Sequence, residues 1–154
     1  LKRHGIAAER VELLPRTTWG EYLAAYGRVD IALDPFPYNG GATTCEALWM
    51  GVPVVTLAGA MAYGRYGVSL LSNLGLPHLV ATTPASYVTI AVELAKKRKP
   101  LAALRAELRP RMAASVLCDA KGFAQGVEQA YRRVWKRWCR SRLSYGDESR
   151  RRKP

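Results

Sequence analysis

Residues 39–44, with the sequence Asn-Gly-Gly-Ala-Thr-Thr, combine small and hydroxyl-bearing side chains directly after an apolar segment that ends at Asp34. The two glycines allow the backbone to turn tightly and to approach a ligand without a Cβ in the way. If a helix begins here, its unpaired N–H groups and its dipole favour an anion such as a diphosphate. Thr43 and Thr44 would add hydroxyl groups at the same place.

Glu46 follows this run within about one helical turn, too close to the phosphates to neutralise them. A carboxylate there is better suited to accept hydrogen bonds from the paired hydroxyls of a ribose. A plain helix cap explains the same residues equally well, with Thr43 or Thr44 as the cap and Glu46 complementing the dipole. The run is neither a P-loop nor a dinucleotide fingerprint. Spacing alone therefore leaves both interpretations open.

Short apolar runs alternate with helical patterns along the chain, and this alternation favours a right-handed βαβ arrangement. Strands are predicted at residues 11–14, 30–34, 52–57 and 79–81. Helices are predicted at residues 18–26, 42–50, 65–73, 85–99, between two prolines at 100 and 110, and at 122–142. The expected fold class is α/β, a Rossmann-like parallel sheet with helices on both faces. Ligands of such sheets lie beyond the carboxyl ends of the strands, where residues 39–44 would be.

Three features of these elements make the prediction more specific. The run 52–57 is apolar throughout, which is typical of a strand buried on both faces. Gly51 follows the second helix where a left-handed cap is wanted. The last helix carries Tyr131, Trp135 and Trp138, a set that favours core packing over ligand stacking, or contact with another lobe.

The net charge of +12 is concentrated at one end, because residues 132–154 hold ten basic side chains against two acidic ones. Such an end could attract nucleic acid, anionic lipid or an acidic protein. A solvated helix face leading into a disordered basic tail at residues 143–154 explains the charge as well. No aromatic-rich RNA motif or zinc-ligand spacing supports nucleic-acid binding.

The expected compartment is the cytoplasm. Cys45, Cys118 and Cys139 are odd in number and widely spaced, which favours a reducing environment. No run approaches the roughly 18 apolar residues that span a bilayer, and no leader opens the chain. Asp30 and Asp34 could suggest a metal pair, but we interpret them as strand-end residues and expect no metal or other cofactor.

The dense motif in this sequence resembles one protein family. Residues 30–59, DIALDPFPYNGGATTCEALWMGVPVVTLAG, continued by residues 66–77, look like the C-terminal catalytic lobe of the bacterial O-GlcNAc transferase/SPINDLY family. The resemblance extends from about Val11 to Cys139 and includes residues 113–119 and the closing Trp135-Lys136-Arg137-Trp138 helix. Members are glycosyltransferases of the two-lobed GT-B architecture, usually preceded by tetratricopeptide repeats.

This resemblance implies an activity and a set of contacts. Family members transfer N-acetylglucosamine from UDP-GlcNAc to serine or threonine hydroxyls of proteins, with inversion and without a required metal. Glu46 would contact the uridine ribose, and Thr17 and Tyr22 lie in the segment that lines the uracil pocket. Four consecutive residues would contact the diphosphate by position: Gly41, Ala42, Thr43 and Thr44.

The sequence departs from the family pattern at several of these positions. Animal members have histidine at the position of Gly41, and many bacterial members have a threonine where Ala42 removes a hydroxyl but keeps the backbone donor. Tyr22 replaces a histidine found in some relatives. Ala60 and Met61 stand where relatives often have an acidic-basic pair.

Two hypotheses follow for the whole protein. In the first, residues 1–142 are the nucleotide-sugar-binding lobe of a longer enzyme whose N-terminal lobe, repeats and acceptor-side catalytic groups lie outside this chain. Its partners would be UDP-GlcNAc or a related nucleotide sugar, since some relatives use fucose on GDP, and acceptor proteins, with no membrane or nucleic acid. The chain alone would be inactive. In the second, the chain is a non-catalytic remnant whose basic tail docks on an acidic partner or nucleic acid.

Overall fold

A computed structural model describes the backbone of residues 2–151 and the side chains of residues 3–141. Its strands are β1 (Ala32–Leu33), β2 (Val54–Leu57) and β3 (Val80–Ala81), which form a parallel sheet in the order β1-β2-β3. Ala32 pairs with Val54, and Thr56 pairs with Val80. Because the strands are parallel, their carboxyl ends meet at one edge of the sheet.

Helices follow each strand of this sheet and continue to the end of the described chain. They are α1 (Trp19–Ala25), α2 (Ala42–Trp49), α3 (Tyr66–Asn73), α4 (Pro84–Lys96), α5 (Arg98–Ala113) and α6 (Ala120–Arg151). Short 3₁₀ turns, including one at Tyr26–Arg28, join these elements. Within residues 2–151, none of the helices combines the length and apolar composition that crossing a bilayer requires.

Strand β2 lies at the centre of the hydrophobic core, because α2, α3 and α4 all pack against it. Val54 and Val55 point to opposite faces of the sheet, and both are buried. The predicted burial is confirmed for residues 52–56, whereas Leu57 is only partly buried. Helix α5 packs against α2 at the edge of the core, and its Leu108 is fully buried together with Leu48 of α2.

Local signals set the helix ends near the predicted positions. The Thr18 hydroxyl accepts a hydrogen bond from Glu21 N at 3.4 Å, and the Glu21 carboxylate accepts one from Thr18 N at 2.9 Å. This reciprocal pair is a capping box, so it fixes the start of α1. Gly51 has a φ of 79°, which confirms the predicted left-handed cap after α2.

The predicted strand at residues 11–14 is wrong. Val11 N instead donates to Ala8 O in a 3₁₀ turn, and Leu13 is 88% exposed. A strand is stable only where another strand pairs with it, and no such partner lies beside these residues in the described chain. A short apolar run alone therefore misled the assignment.

The two prolines expected to bracket a helix lie inside α5. Pro100 occupies the first turn, where its missing N–H costs nothing. Pro110 lies in the last turn of the same helix. The predicted helix at 85–99 accordingly ends earlier, with α4 at Lys96.

Helix α6 begins two residues before its predicted start and is described to Arg151. Tyr131 is 72% exposed and Trp135 is 62% exposed, so the predicted core packing of these aromatic side chains is wrong. The proposed boundary at residue 143 stays a prediction, since the side chains of residues 142–154 lie outside the described part.

We expect Gly51→Ala to lower the free energy of unfolding by about 1–3 kcal/mol, because a positive φ strains an L residue. In addition, its Cβ would lie 2.9 Å from the Arg105 carbonyl oxygen. The matched control is Gly20→Ala in α1, where a Cβ meets nothing within 4 Å. Urea unfolding should find that control unchanged or up to about 1 kcal/mol more stable. Equal effects of the two substitutions would contradict the prediction.

Candidate functional site

The candidate site lies at the carboxyl edge of the sheet, where the chain leaves β1 and enters α2. Asp34 is the first residue after β1, and its N–H still bonds to Val55 O of β2 at 2.9 Å. The loop at residues 35–41 then leads to Ala42, the first residue of α2. The sheet therefore delivers this loop to the position that the sequence predicted.

The Asp34 carboxylate organises the loop from a buried position, with only 3% of the residue exposed. Its Oδ1 accepts hydrogen bonds from Gly40 N at 2.8 Å and, more weakly, from Thr44 Oγ1 at 3.5 Å. Its Oδ2 accepts one from Thr56 Oγ1 at 2.6 Å. A buried carboxylate is costly unless hydrogen-bonded, so these donors both stabilise Asp34 and fix the loop against β2.

Tyr87 of α4 joins the same network through the backbone. Its hydroxyl donates to Asp34 O at 2.9 Å. Burial, and then the negative charge of Asp34, raise the pKa of the Tyr87 hydroxyl, which keeps it protonated as a donor. Asp34 thus connects the loop, α2, β2 and α4.

Two further features shape the loop. Asn39 is 2% exposed; its Nδ2 donates to Pro35 O at 3.1 Å, while its Oδ1 has no donor within the described residues. A Cβ on Gly40 would lie 2.6 Å from Thr44 Oγ1 and 2.7 Å from Thr43 Oγ1. Only glycine therefore fits where the loop closes onto the first turn of α2.

The N-terminus of α2 is open. Gly41 is the N-cap residue, and no side chain caps the helix. The N–H groups of Ala42, Thr43 and Thr44 have no acceptor within the described residues, and the first N–H bonded at this end is that of Cys45, to Gly41 O. The alternative of Thr43 or Thr44 as a plain cap is therefore not realised.

The predicted diphosphate residues do not all face the same way. Gly41, Ala42 and Thr43 are exposed, and the Thr43 hydroxyl has no partner within the described residues. Thr44 is 4% exposed because its hydroxyl points to Asp34. Gly41, Ala42 and Thr43 are thus exposed to solvent at the start of α2, whereas the side chain of Thr44 is hydrogen-bonded to Asp34.

Glu46 is the fifth residue of α2, so it lies in the second turn and does not complement the dipole in the first. Its Oε2 accepts a hydrogen bond from the Tyr22 hydroxyl at 2.7 Å. The Tyr22 and Tyr26 hydroxyls lie 2.6 Å apart. Burial, and then the bonds to Tyr26 and Glu46, raise the pKa of Tyr22 far above its usual range, so it remains a donor.

The α1 segment lines a cleft of about 390 Å³, which does not include Glu46 among its lining residues. Thr17 and Tyr22 both line this cleft, and Thr17 is exposed with its hydroxyl donating to Thr18 O at 3.3 Å. Tyr22 therefore lines the cleft and also contacts α2 through its hydroxyl. The structure brings Tyr22 and Glu46 into contact and leaves Thr17 on the cleft rim.

Sequence reasoning missed several residues of this site. Asp34 was interpreted as a strand-end residue, and its exposed counterpart Asp30 does not share its environment. An isolated carboxylate directly after an apolar strand and before a glycine loop was the available signal. An aromatic pair was also missed: Tyr38 of the loop stacks on Tyr63 with ring centroids 5.2 Å apart. The sequence held no signal for that pairing, since 25 positions separate the two rings.

Comparisons with known proteins agree on one family. A family model described as glycosyl transferase family 41 matches residues 1–127. A protein of Arabidopsis thaliana, named probable UDP-N-acetylglucosamine–peptide N-acetylglucosaminyltransferase SPINDLY, is 45% identical over 144 residues, which cover 93% of this chain and 16% of that protein. A UDP-N-acetylglucosamine–peptide N-acetylglucosaminyltransferase of Caenorhabditis elegans is 37% identical over 71% of this chain and 10% of its own length.

A solved structure extends the comparison to the fold. A mutant O-GlcNAc transferase of Thermobaculum terrenum superposes with a TM-score of 0.85 at 44% identity, over 91% of this chain and 27% of that chain. This match confirms the predicted fold class, a parallel sheet with helices of the GT-B kind. The chain spans less than a third of the length of each of these relatives.

We expect Asp34→Asn to lower the free energy of unfolding by about 1.5–3 kcal/mol, because an amide NH₂ would replace an acceptor of charge-assisted hydrogen bonds. Chemical denaturation measures the change. Asp30→Asn is the matched control, since the Asp30 side chain is 83% exposed. The control should change stability by less than about 0.5 kcal/mol. An Asp34 variant as stable as the control would show that the network does not hold the loop.

Proposed function

The chain belongs to glycosyl transferase family 41, and from this membership we propose that it binds the UDP part of a UDP-GlcNAc donor. In the whole protein, this lobe would serve the transfer of N-acetylglucosamine to serine or threonine hydroxyls of acceptor proteins, with inversion at the anomeric carbon. The observation that carries the proposal is the open N-terminus of α2. It presents unpaired amides to solvent one turn before an oriented carboxylate.

Each predicted contact has a place in this proposal. The diphosphate would receive hydrogen bonds from the amides of Ala42, Thr43 and Thr44, and from the Thr43 hydroxyl, while Gly41 lets the phosphates approach. The Thr44 hydroxyl is excluded from this role because it faces Asp34. Backbone donors at a helix N-terminus suit this task because they are fixed in place before the ligand arrives.

The nucleoside would lie towards α1. The Glu46 carboxylate would accept hydrogen bonds from the ribose hydroxyls, and the cleft lined by Thr17 and Tyr22 would take the uracil. Support comes from Tyr22, which lines the cleft and donates a hydrogen bond to the Glu46 carboxylate. A ribose between the cleft and the carboxylate would place the base and the diphosphate on opposite sides of Glu46.

The chemical contribution of this lobe would be to stabilise the leaving group. As the glycosidic bond breaks, negative charge grows on the departing UDP, and donors already aimed at the diphosphate stabilise that charge. The relatives are several times longer than this chain, so we assign the acceptor side and its proton-accepting group to another lobe. The isolated chain would then bind UDP weakly and transfer no sugar.

Three further assignments complete the proposal. Residues 1–142 form the nucleotide-sugar-binding lobe, with a basic tail at 143–154 beyond it. The lobe needs no metal, because amides and hydroxyls take the part that a cation plays elsewhere. The protein acts in the cytoplasm, which its three free thiols at Cys45, Cys118 and Cys139 support.

Calorimetric titration with UDP tests the ribose contact. Glu46→Gln keeps the size of the side chain but removes the charge, so UDP binding should weaken by about 1.5–3 kcal/mol. Glu107→Gln on α5 is the matched control, because within the described residues Glu107 pairs only with Arg111, on the helix surface. Equal affinity of the wild type and the Glu46 variant would remove Glu46 from the site.

Titration of the same chain in EDTA and in Mg²⁺ tests the assignment of a metal-free site. We expect the two UDP affinities to agree within about twofold, because no step of the proposed binding uses a cation. Detectable binding in Mg²⁺ only would contradict the proposal.

A further inference from the structure

Glu46, Tyr22 and Tyr26 form a chain of hydrogen-bonded side chains. The Tyr22 hydroxyl lies 2.7 Å from Glu46 Oε2, and the Tyr26 hydroxyl lies 2.6 Å from that of Tyr22. An ionised carboxylate only accepts hydrogen bonds, so Tyr22 must donate its single proton to Glu46. Tyr26 must therefore donate to Tyr22. Tyr26 is thus the donor to Tyr22, and Tyr22 is the donor to Glu46.

This arrangement fixes one oxygen of Glu46 and leaves the other available. Oε2 is held by Tyr22, whereas Oε1 has no donor within the described residues. A bond donated to the oxygen of Tyr22 polarises its own O–H group and strengthens its bond to the carboxylate. Glu46 is only half-buried, so without these bonds its flexible side chain could adopt other rotamers.

The two tyrosines pack against each other, and Tyr22 also packs against Trp19. They lie four positions apart, on the same side of α1 and of the 3₁₀ turn that follows it, with ring centroids 5.4 Å apart in an edge-to-face contact. The Trp19 ring packs against the Tyr22 ring, with the two ring centroids 5.5 Å apart. The Tyr26 hydroxyl also lies 3.3 Å from Thr43 O in the first turn of α2, which is a second and longer-range acceptor for the same proton. The chain of hydroxyls thus connects two helices across the candidate site.

We propose that Tyr26 is a positioning residue for nucleotide binding, acting through Tyr22 to aim the free oxygen of Glu46 at the ribose hydroxyls. The inference rests on the proposed function, since it requires Glu46 to bind ribose. It adds that affinity for the ribose hydroxyls depends on the Tyr26 hydroxyl, which is two hydrogen bonds away from Glu46. It also gives Tyr22 a second role, because Tyr22 orients Glu46 in addition to lining the base cleft.

The test compares two ligands in four forms of the full 154-residue chain. UDP and 2′,3′-dideoxy-UDP are titrated by calorimetry into the wild type, Tyr26→Phe, Tyr22→Phe and a control, Tyr131→Phe. Tyr131 lies on α6, and 72% of the residue is exposed. Phenylalanine keeps the ring and its packing, and thermal unfolding verifies that each variant is folded.

The expected result is selective for the ribose hydroxyls. Tyr26→Phe should weaken UDP binding by about three- to tenfold and leave binding of the dideoxy nucleotide unchanged, because only the hydrogen bonds to Glu46 lose strength. Tyr22→Phe should reduce UDP binding further, since it removes the direct donor. Tyr131→Phe should match the wild type with both ligands.

Each contrary outcome has its own meaning. If Tyr26→Phe weakens both ligands equally, or neither, the tyrosine does not act through the ribose and the inference is overturned, while UDP binding by the wild type still supports the proposed function. If the wild type binds UDP and the dideoxy nucleotide equally, Glu46 does not read the ribose and the inference fails. A folded wild type that binds neither nucleotide overturns the proposed function itself, and the inference with it.

Discussion

A buried carboxylate is the constraint on which the candidate site depends. The Asp34 side chain sits at the end of the first strand with almost no exposure to water, so its two oxygens must find donors inside the protein. They find them in the loop, in α2 and in β2. Satisfying this one group therefore brings together elements that the helix and strand propensities of the chain leave independent. The loop geometry is a consequence of that requirement.

The same constraint explains why the helix end remains open. The threonine hydroxyl that would have capped α2 from within is occupied by Asp34, and the N-cap position belongs to a glycine with no side chain to offer. An orphan set of amides is a cost to the isolated protein, since water must solvate them. A ligand that supplies anionic oxygens at this point removes that cost. Stability of the free protein and capacity for a ligand are thus opposed at the start of α2.

Much of the fold followed from the sequence, because its signals are local. The apolar run of β2 and the glycine after α2 each act within a few residues, and each lies where it was expected. The Thr18–Glu21 capping box, which starts the predicted first helix, is equally local. The strand at residues 11–14 failed because strand formation depends on a partner that local patterning does not report. The prolines of α5 misled because their effect depends on which turn of a helix they occupy.

The location of the candidate site and its residues at the start of α2 were predicted, but the hydrogen bonds between its side chains were not. The residues at the start of α2 stood out by type and spacing, and the family resemblance gave them roles. The contacts of Asp34 with Thr56 and Tyr87, and of Glu46 with Tyr22, join positions 22 to 53 apart in the chain. No periodicity reports such pairs. They depend on how helices pack onto the sheet, which only the assembled structure determines.

The link between Tyr87 and Asp34 has a consequence for how the protein is made. It spans 53 positions, so the loop cannot reach its final form until β2, α3, β3 and the start of α4 have been synthesised and packed. Contacts of such long range form late, because the intervening chain must first lose its conformational freedom. Competence to hold a nucleotide would then mark the completion of folding rather than accompany it. A nascent chain that stops before α4 carries every residue at the start of α2 and still lacks their arrangement.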